Sequence, residues 1–138
     1  MSASDSAGSP AAGSAASHGH AVVLFSHGSR DPLWRAPLEA VEARLRADRP
    51  EVLVTSAYLE LCEPNLADAT RDLVQQGARR VTIVPMFLGT GRHAREDLPR
   101  LVDTLRQAHP EVEFQVQQAI GEDPRMTALM ANIAAEAA

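Results

Sequence analysis

The residues of this chain best suited to chemistry are two histidines and a glutamate. His27 lies in the segment SHGSR, and His93 lies in the segment GTGRH. A neutral imidazole can bind a borderline divalent metal ion, or it can accept a proton near pH 7. The Glu60 carboxylate can accept a proton itself or raise the basicity of a nearby imidazole. These residue types predict metal-ion or proton-transfer chemistry, provided that the fold brings the three side chains together.

Arginines accompany both histidines in the sequence. Arg30, Arg92 and Arg95 lie in or beside the same glycine-containing segments. Arginine binds carboxylates bidentately, so these segments would suit a ligand with several carboxylates. A solvated surface is the alternative interpretation of the same arginines. The predicted substrate-binding residues are Ser29, Arg30, Gly89, Thr90 and Arg92.

From Ala21 onward, the chain alternates strand patterns with helical patterns. The strand patterns cover residues 21–25, 52–59, 81–84 and 112–116, and apolar residues at helical spacing follow each of them. Strand followed by helix, four times, predicts an α/β fold with a mostly parallel sheet and helices on both faces. We expect the flavodoxin-like strand order 2-1-3-4, with an alternating, wetter pattern on the last, edge strand.

The candidate residues all follow strands in this scheme. His27 follows the first strand, Glu60 ends the second, and His93 follows the third. The carboxyl ends of parallel strands meet at one edge, and ligands bind where the winding direction reverses, here between strands 1 and 3. We therefore predict His27, His93 and Glu60 as catalytic residues and the two histidines as metal ligands.

Length and composition limit the classes of protein that the chain can represent. Its 138 residues suffice for one domain, which we place at 20–138, after a tail at 1–19 that is rich in Ser, Ala and Gly and predicted to be disordered. The net charge of −5 argues against nucleic-acid or anionic-membrane partners. The single cysteine, Cys62, cannot form an internal disulfide and favours a reducing, cytoplasmic location.

Three segments resemble the short sirohydrochlorin cobaltochelatases, which are class II chelatases. They are AVVLFSHGSRDP, SAYLELCEPNL and VTIVPMFLGTGRHAREDLP. The resemblance runs from about Ala21 to the end of the chain. It implies insertion of Co²⁺, or of Fe²⁺ or Ni²⁺, into sirohydrochlorin during cobalamin or sirohaem biosynthesis, with no cofactor beyond the substrate metal. It further implies active-site roles for His27 and His93, an acidic partner at Glu60, and a homodimer.

Two other functions compete with this interpretation. A histidine phosphatase would also place a histidine after a strand, but those enzymes need an arginine directly before it, and Ser26 stands there. A non-catalytic carrier of metal or tetrapyrrole would keep the histidine pair and show no turnover.

Overall fold

The centre of the protein is a sheet of four parallel strands in the order β2-β1-β3-β4. The computed structural model describes residues 19–138. The strands are β1 (His20–Ser26), β2 (Leu53–Tyr58), β3 (Arg80–Pro85) and β4 (Glu113–Val116). The predicted fold class and strand order are thus confirmed, with β1 and β3 as central neighbours. Of the predicted tail, only Gly19 belongs to the described residues, and its carbonyl oxygen accepts the Arg80 N–H at 3.1 Å.

Four helices follow the strands within residues 19–138, one after each strand in the chain. They are α1 (Ala36–Asp48), α2 (Leu66–Gln75), α3 (Arg92–Ala108) and α4 (Pro124–Ala135), with short 3₁₀ turns at Pro32–Arg35 and Ile120–Glu122. Buried residues of α2 and α3 pack with Val23 and Phe25 on one face of β1. Leu38 of α1 packs with Leu24 on the other face. Helices therefore cover both faces of the sheet, as the alternation predicts.

The burial of the strands explains their sequence patterns. Val23, Leu24 and Phe25 of β1 are all buried, because each face of this central strand lies under a helix. In β4, Phe114 is buried while Gln115 on the opposite face is exposed, which confirms the predicted edge strand. The free Cys62 is half-buried against the α1-side cluster, where it behaves as a small apolar residue.

Capping residues fix the ends of several helices. From the sequence, either Glu60 or Glu63 could cap α2, but Asn65 caps it instead, because its side chain accepts the N–H of Asp68. Asp123 caps α4 by accepting the N–H of Arg125. A glycine directly after the apolar stripe of α2 predicts a left-handed helix end, and Gly77 confirms it with a φ of +106°.

The last helix, α4, differs from the others because none of its residues is buried. It lies mainly against the 3₁₀ turn at Ile120–Glu122. Leu129 and Ile133 expose 51% and 58% of their surface, so residues 19–138 leave an apolar side of α4 uncovered. Among residues 19–138, no helix combines the length and the apolar character that a membrane crossing requires.

A matched pair of valines tests the burial pattern of the sheet. Val81 of β3 is 0% exposed, whereas Val116 of the neighbouring β4 is 42% exposed. We expect Val81→Ala to lower the free energy of unfolding by about 2 kcal/mol, because two buried methyl groups and their packing are lost. Val116→Ala should change it by less than about 0.5 kcal/mol. Denaturant unfolding of both variants measures the difference, and equal losses would contradict the burial of Val81 and the exposure of Val116.

Candidate functional site

The sheet pairing continues beyond the carboxyl ends of the strands and fixes the backbone of the candidate site. The Glu60 N–H donates to the His27 carbonyl oxygen at 3.0 Å, and the Leu59 N–H donates to the Ser26 carbonyl oxygen at 2.9 Å. On the other side of β1, the Met86 N–H donates to the Phe25 carbonyl oxygen at 2.7 Å. The loops after β1, β2 and β3 therefore start from backbones that are hydrogen-bonded to one another.

Gly28 is required by this pairing. Its φ is +103°, and a Cβ atom there would lie 1.8 Å from the Glu60 carbonyl oxygen. The sequence suggests that Gly28, Gly89 and Gly91 allow a ligand to approach the backbone closely. At Gly28 the close neighbour is instead the chain itself, whereas Cβ atoms at Gly89 and Gly91 would meet nothing within 4 Å. Gly28 thus sets the distance between the backbones that carry His27 and Glu60.

His27 packs on an aromatic ring that sequence reasoning did not single out. Its imidazole lies 4.5 Å from the Phe87 ring, centroid to centroid, with 31° between the planes. Phe87 is only 4% exposed, while His27 itself is exposed. An apolar residue directly after a buried strand is typical of the core, so nothing in the pattern distinguishes Phe87 as a support for His27.

His93 lies at the same edge but in a helix rather than in a loop. Helix α3 begins already at Arg92, with Gly91 as its N-cap, so exposed His93 stands in the first turn. The sequence pattern places it in the loop after β3, since the apolar stripe becomes visible only from Leu98. The helix start places His93 beside unpaired backbone N–H groups, an environment that favours anions.

The three predicted catalytic residues are only partly assembled in the single chain. His27 and Glu60 are joined through their backbones, and His93 follows β3, the strand next to β1. Within residues 19–138, no group of three or more His, Cys, Asp or Glu side chains is placed to hold a metal ion. His27 and His93 thus follow neighbouring strands at one edge of the sheet.

The predicted substrate-binding residues lie in or beside the loops after β1 and β3. They differ in whether their polar groups already have hydrogen-bond or ion-pair partners. The Ser29 hydroxyl accepts the Asp31 N–H at 3.0 Å, and the Thr90 carbonyl oxygen accepts the Arg95 guanidinium at 2.7 Å. Arg92 is 3.9 Å from the Glu96 carboxylate in a solvent-exposed pair, which contributes little energy. Arg30 is exposed and has no ion pair among the described residues. Arg30 and Arg92 are thus exposed cations beside the two histidines that can meet a ligand.

Large apolar side chains flank the same loops. Leu33, Leu61 and Leu88 follow β1, β2 and β3, and they are 80%, 48% and 72% exposed. Exposed apolar residues grouped in this way are typical of a surface that binds an apolar partner or ligand. Combined with Arg30 and Arg92, they give this edge both apolar and cationic character.

Tyr58, at the end of β2, takes no part as a base. It is 4% exposed, and burial raises the pKa of its phenol above the ordinary value. Tyr58 therefore stays protonated at neutral pH and serves as packing beneath the loop, with its ring 6.3 Å from that of Trp34.

Comparison with known proteins places this arrangement in a family. Residues 21–137 match the CbiX family. A sirohydrochlorin cobaltochelatase from Methanocaldococcus jannaschii is 33% identical over 89 residues, which cover 64% of this chain and 62% of the relative. The matched part of this chain thus spans less than two thirds of that relative's length.

Solved structures of other proteins share the fold. A CbiX protein from Marinobacter aquaeolei VT8 superposes with a TM-score of 0.74 at 31% identity, covering 85% of this chain and 95% of that one. SirB from Bacillus subtilis, solved with Fe³⁺, superposes with a TM-score of 0.70 at 26% identity. That match covers 82% of this chain but only 45% of SirB.

Two glycines at this edge provide a test of the backbone contact. We expect Gly28→Ala to lower the free energy of unfolding by roughly 1–3 kcal/mol, because the new Cβ meets backbone and the φ is left-handed. Gly89→Ala should stay within about 0.5 kcal/mol, since open space surrounds that position. Thermal unfolding of both variants measures this, and an unchanged midpoint for Gly28→Ala would contradict the described pairing of His27 with Glu60.

Proposed function

This chain belongs to the CbiX family, and we propose that it is a chelatase that inserts a divalent metal ion into sirohydrochlorin. The observation that supports this most directly is the placement of His27 and His93 after the neighbouring strands β1 and β3. The M. jannaschii relative carries the name of this activity, with cobalt as its metal. Co²⁺ is the substrate metal that we propose first, and Fe²⁺ is the second, since SirB was solved with iron.

The reaction requires general bases and weak metal donors. Insertion removes two protons from pyrrole nitrogens while the metal ion loses its water ligands. The neutral imidazoles of His27 and His93 can accept these protons and can bind cobalt, iron or nickel on its way to the macrocycle. We assign the Glu60 carboxylate to orient His27 or accept a proton, because its backbone is bonded to that of His27.

The chemistry of the substrate matches the surroundings of the histidines. Sirohydrochlorin combines a flat apolar ring system with peripheral carboxylates. We propose that Leu33, Leu61 and Leu88 contact the ring system, while Arg30 and Arg92 bind carboxylates at the rim. Ser29, Gly89 and Thr90 lie between these groups and would contact the substrate through hydroxyl or backbone. The N-terminus of α3 adds N–H donors for an anionic group.

We also propose that the protein works as a homodimer in the cytoplasm. One side of α4 carries apolar residues at helical spacing that the described part of the chain does not bury, namely Met126, Leu129, Met130 and Ile133. SirB is about twice as long as the part of it that this chain matches, so a second copy would supply a second domain of the same kind. The free thiol of Cys62 supports a reducing compartment.

Histidine variants test the activity. With Co²⁺ and sirohydrochlorin, we expect His27→Ala and His93→Ala to lower kcat at least about 100-fold, because each removes a base or ligand. Glu60→Gln should lower it about tenfold, as expected for a group that acts through a histidine. His109→Ala is the matched control and should keep kcat within about twofold, since His109 ends α3 at the opposite edge.

The absorption spectrum of the tetrapyrrole gives the readout for these variants. Many equivalents converted per chain would support a chelatase. A spectral change limited to one equivalent would instead identify a carrier. Full turnover by either histidine variant would contradict the assigned roles.

Charged substitutions on α4 test the dimer. We expect the unmodified chain to sediment as a dimer in the micromolar range and Ile133→Asp to sediment as a monomer, because the interface would bury an unpaired carboxylate. Val41→Asp on α1 is the control, since Val41 is also a partly exposed helical residue, at 42%. It should leave the dimer intact. A single-chain mass for the unmodified protein across this range would refute the proposal.

A further inference from the structure

The 3₁₀ turn after β4 contacts the loop that supports His27, although sequence reasoning assigned this turn no role. We propose that Gly121 is a positioning residue, which fixes the Phe87–Leu88 backbone and, through Phe87, the imidazole of His27. The effect on His27 stands on the contacts alone. Only the consequence for metal insertion rests on the proposed function.

Gly121 brings two backbones into direct contact. Its N–H donates to the Phe87 carbonyl oxygen at 2.9 Å. A Cβ atom at this position would lie 2.0 Å from the Leu88 carbonyl oxygen and 2.4 Å from the Leu88 Cα. These are backbone atoms, so no side-chain rotation can relieve the overlap. Glycine is thus required here for close approach of the main chain.

The turn that carries Gly121 is itself held in place. Ala119 is 2% exposed, and its N–H donates to the Glu122 carboxylate at 3.2 Å. The Glu122 N–H in turn donates to the Ala119 carbonyl oxygen at 2.9 Å. An added methyl group at Gly121 therefore cannot be absorbed by the turn alone, and the Phe87–Leu88 segment must move as well.

Movement of that segment reaches His27 through the aromatic contact. Phe87 is buried at 4% exposure, and its ring stands 4.5 Å from the imidazole of His27, between centroids. A buried ring in a close-packed environment follows its backbone, because little free volume surrounds it. Leu88, which is 72% exposed at the same edge, would be displaced together with Phe87.

The experiment compares two glycine variants by NMR of the histidine ring protons. We expect Gly121→Ala to displace the His27 resonance, because the ring current of Phe87 acts on it at this distance. Gly77→Ala is the matched control. Its φ of +106° makes the substitution strained, yet its surroundings are open and it lies at the opposite edge of the sheet. Gly77→Ala should lower the melting temperature and leave the His27 resonance in place.

Two further variants make the result decisive. His27→Asn assigns the resonance, and Phe87→Leu shows how far it moves when the ring current is lost. If Gly121→Ala does not fold, Glu122→Ala loosens the turn without introducing an overlap, and it should also displace the His27 resonance. A His27 resonance that stays in place in the folded Gly121→Ala, or in Glu122→Ala where that variant is used, would overturn the proposal.

Kinetics separate this proposal from the proposed function. If the chain inserts cobalt, Gly121→Ala should lower kcat up to about 100-fold, the scale expected for a displaced catalytic group. Gly77→Ala should retain its kcat below its melting temperature. A displaced His27 resonance in a protein without any insertion activity would support the positioning role and refute the chelatase. Unchanged kcat in an active Gly121→Ala would refute the consequence that we propose for metal insertion and leave the chelatase assignment intact.

Discussion

The parallel pairing of β1 with both of its neighbours is the constraint on which the site depends. Because the pairing runs past the strand ends, His27 and Glu60 start from backbones that are already hydrogen-bonded to each other. Parallel strands also require a crossover after each strand, and these crossovers place α1 on one face and α2 and α3 on the other. The same geometry that buries the sheet therefore collects three loops at one edge.

Two close contacts between main chains then fix the positions of the loops at this edge of the sheet. Gly28 and Gly121 each occupy a position where a Cβ atom would overlap a carbonyl oxygen, of Glu60 in one case and of Leu88 in the other. One contact joins the loops after β1 and β2, and the other joins the segment after β4 to the loop after β3. The His27 side chain, on its Phe87 support, lies between these two constraints.

Helix α4 lies on the surface of the molecule, against the 3₁₀ turn next to this edge of the sheet. It follows the turn that contains Gly121, and it contributes no buried residue to the domain. An isolated helix of this length is marginally stable in water, so packing of its apolar side is the expected source of its stability. A second copy on α4 would then stabilise the helix next to the turn that supports the Phe87 loop.

The sequence by itself determined the layout of the domain. Apolar runs and helical stripes carry enough periodic information to identify the strands, and the flavodoxin-like order expected for such a sheet then predicts the edge at which His27, Glu60 and His93 lie. Local signals were also sufficient to predict the left-handed conformation of Gly77, because neighbouring residues determine where a helix ends. The supports of the site were decided only by the tertiary structure. From the sequence pattern, Phe87 is an ordinary core residue and Gly121 an ordinary turn glycine. Each acts through a contact with a segment that follows a different strand, Phe87 with His27 after β1 and Gly121 with Leu88 after β3.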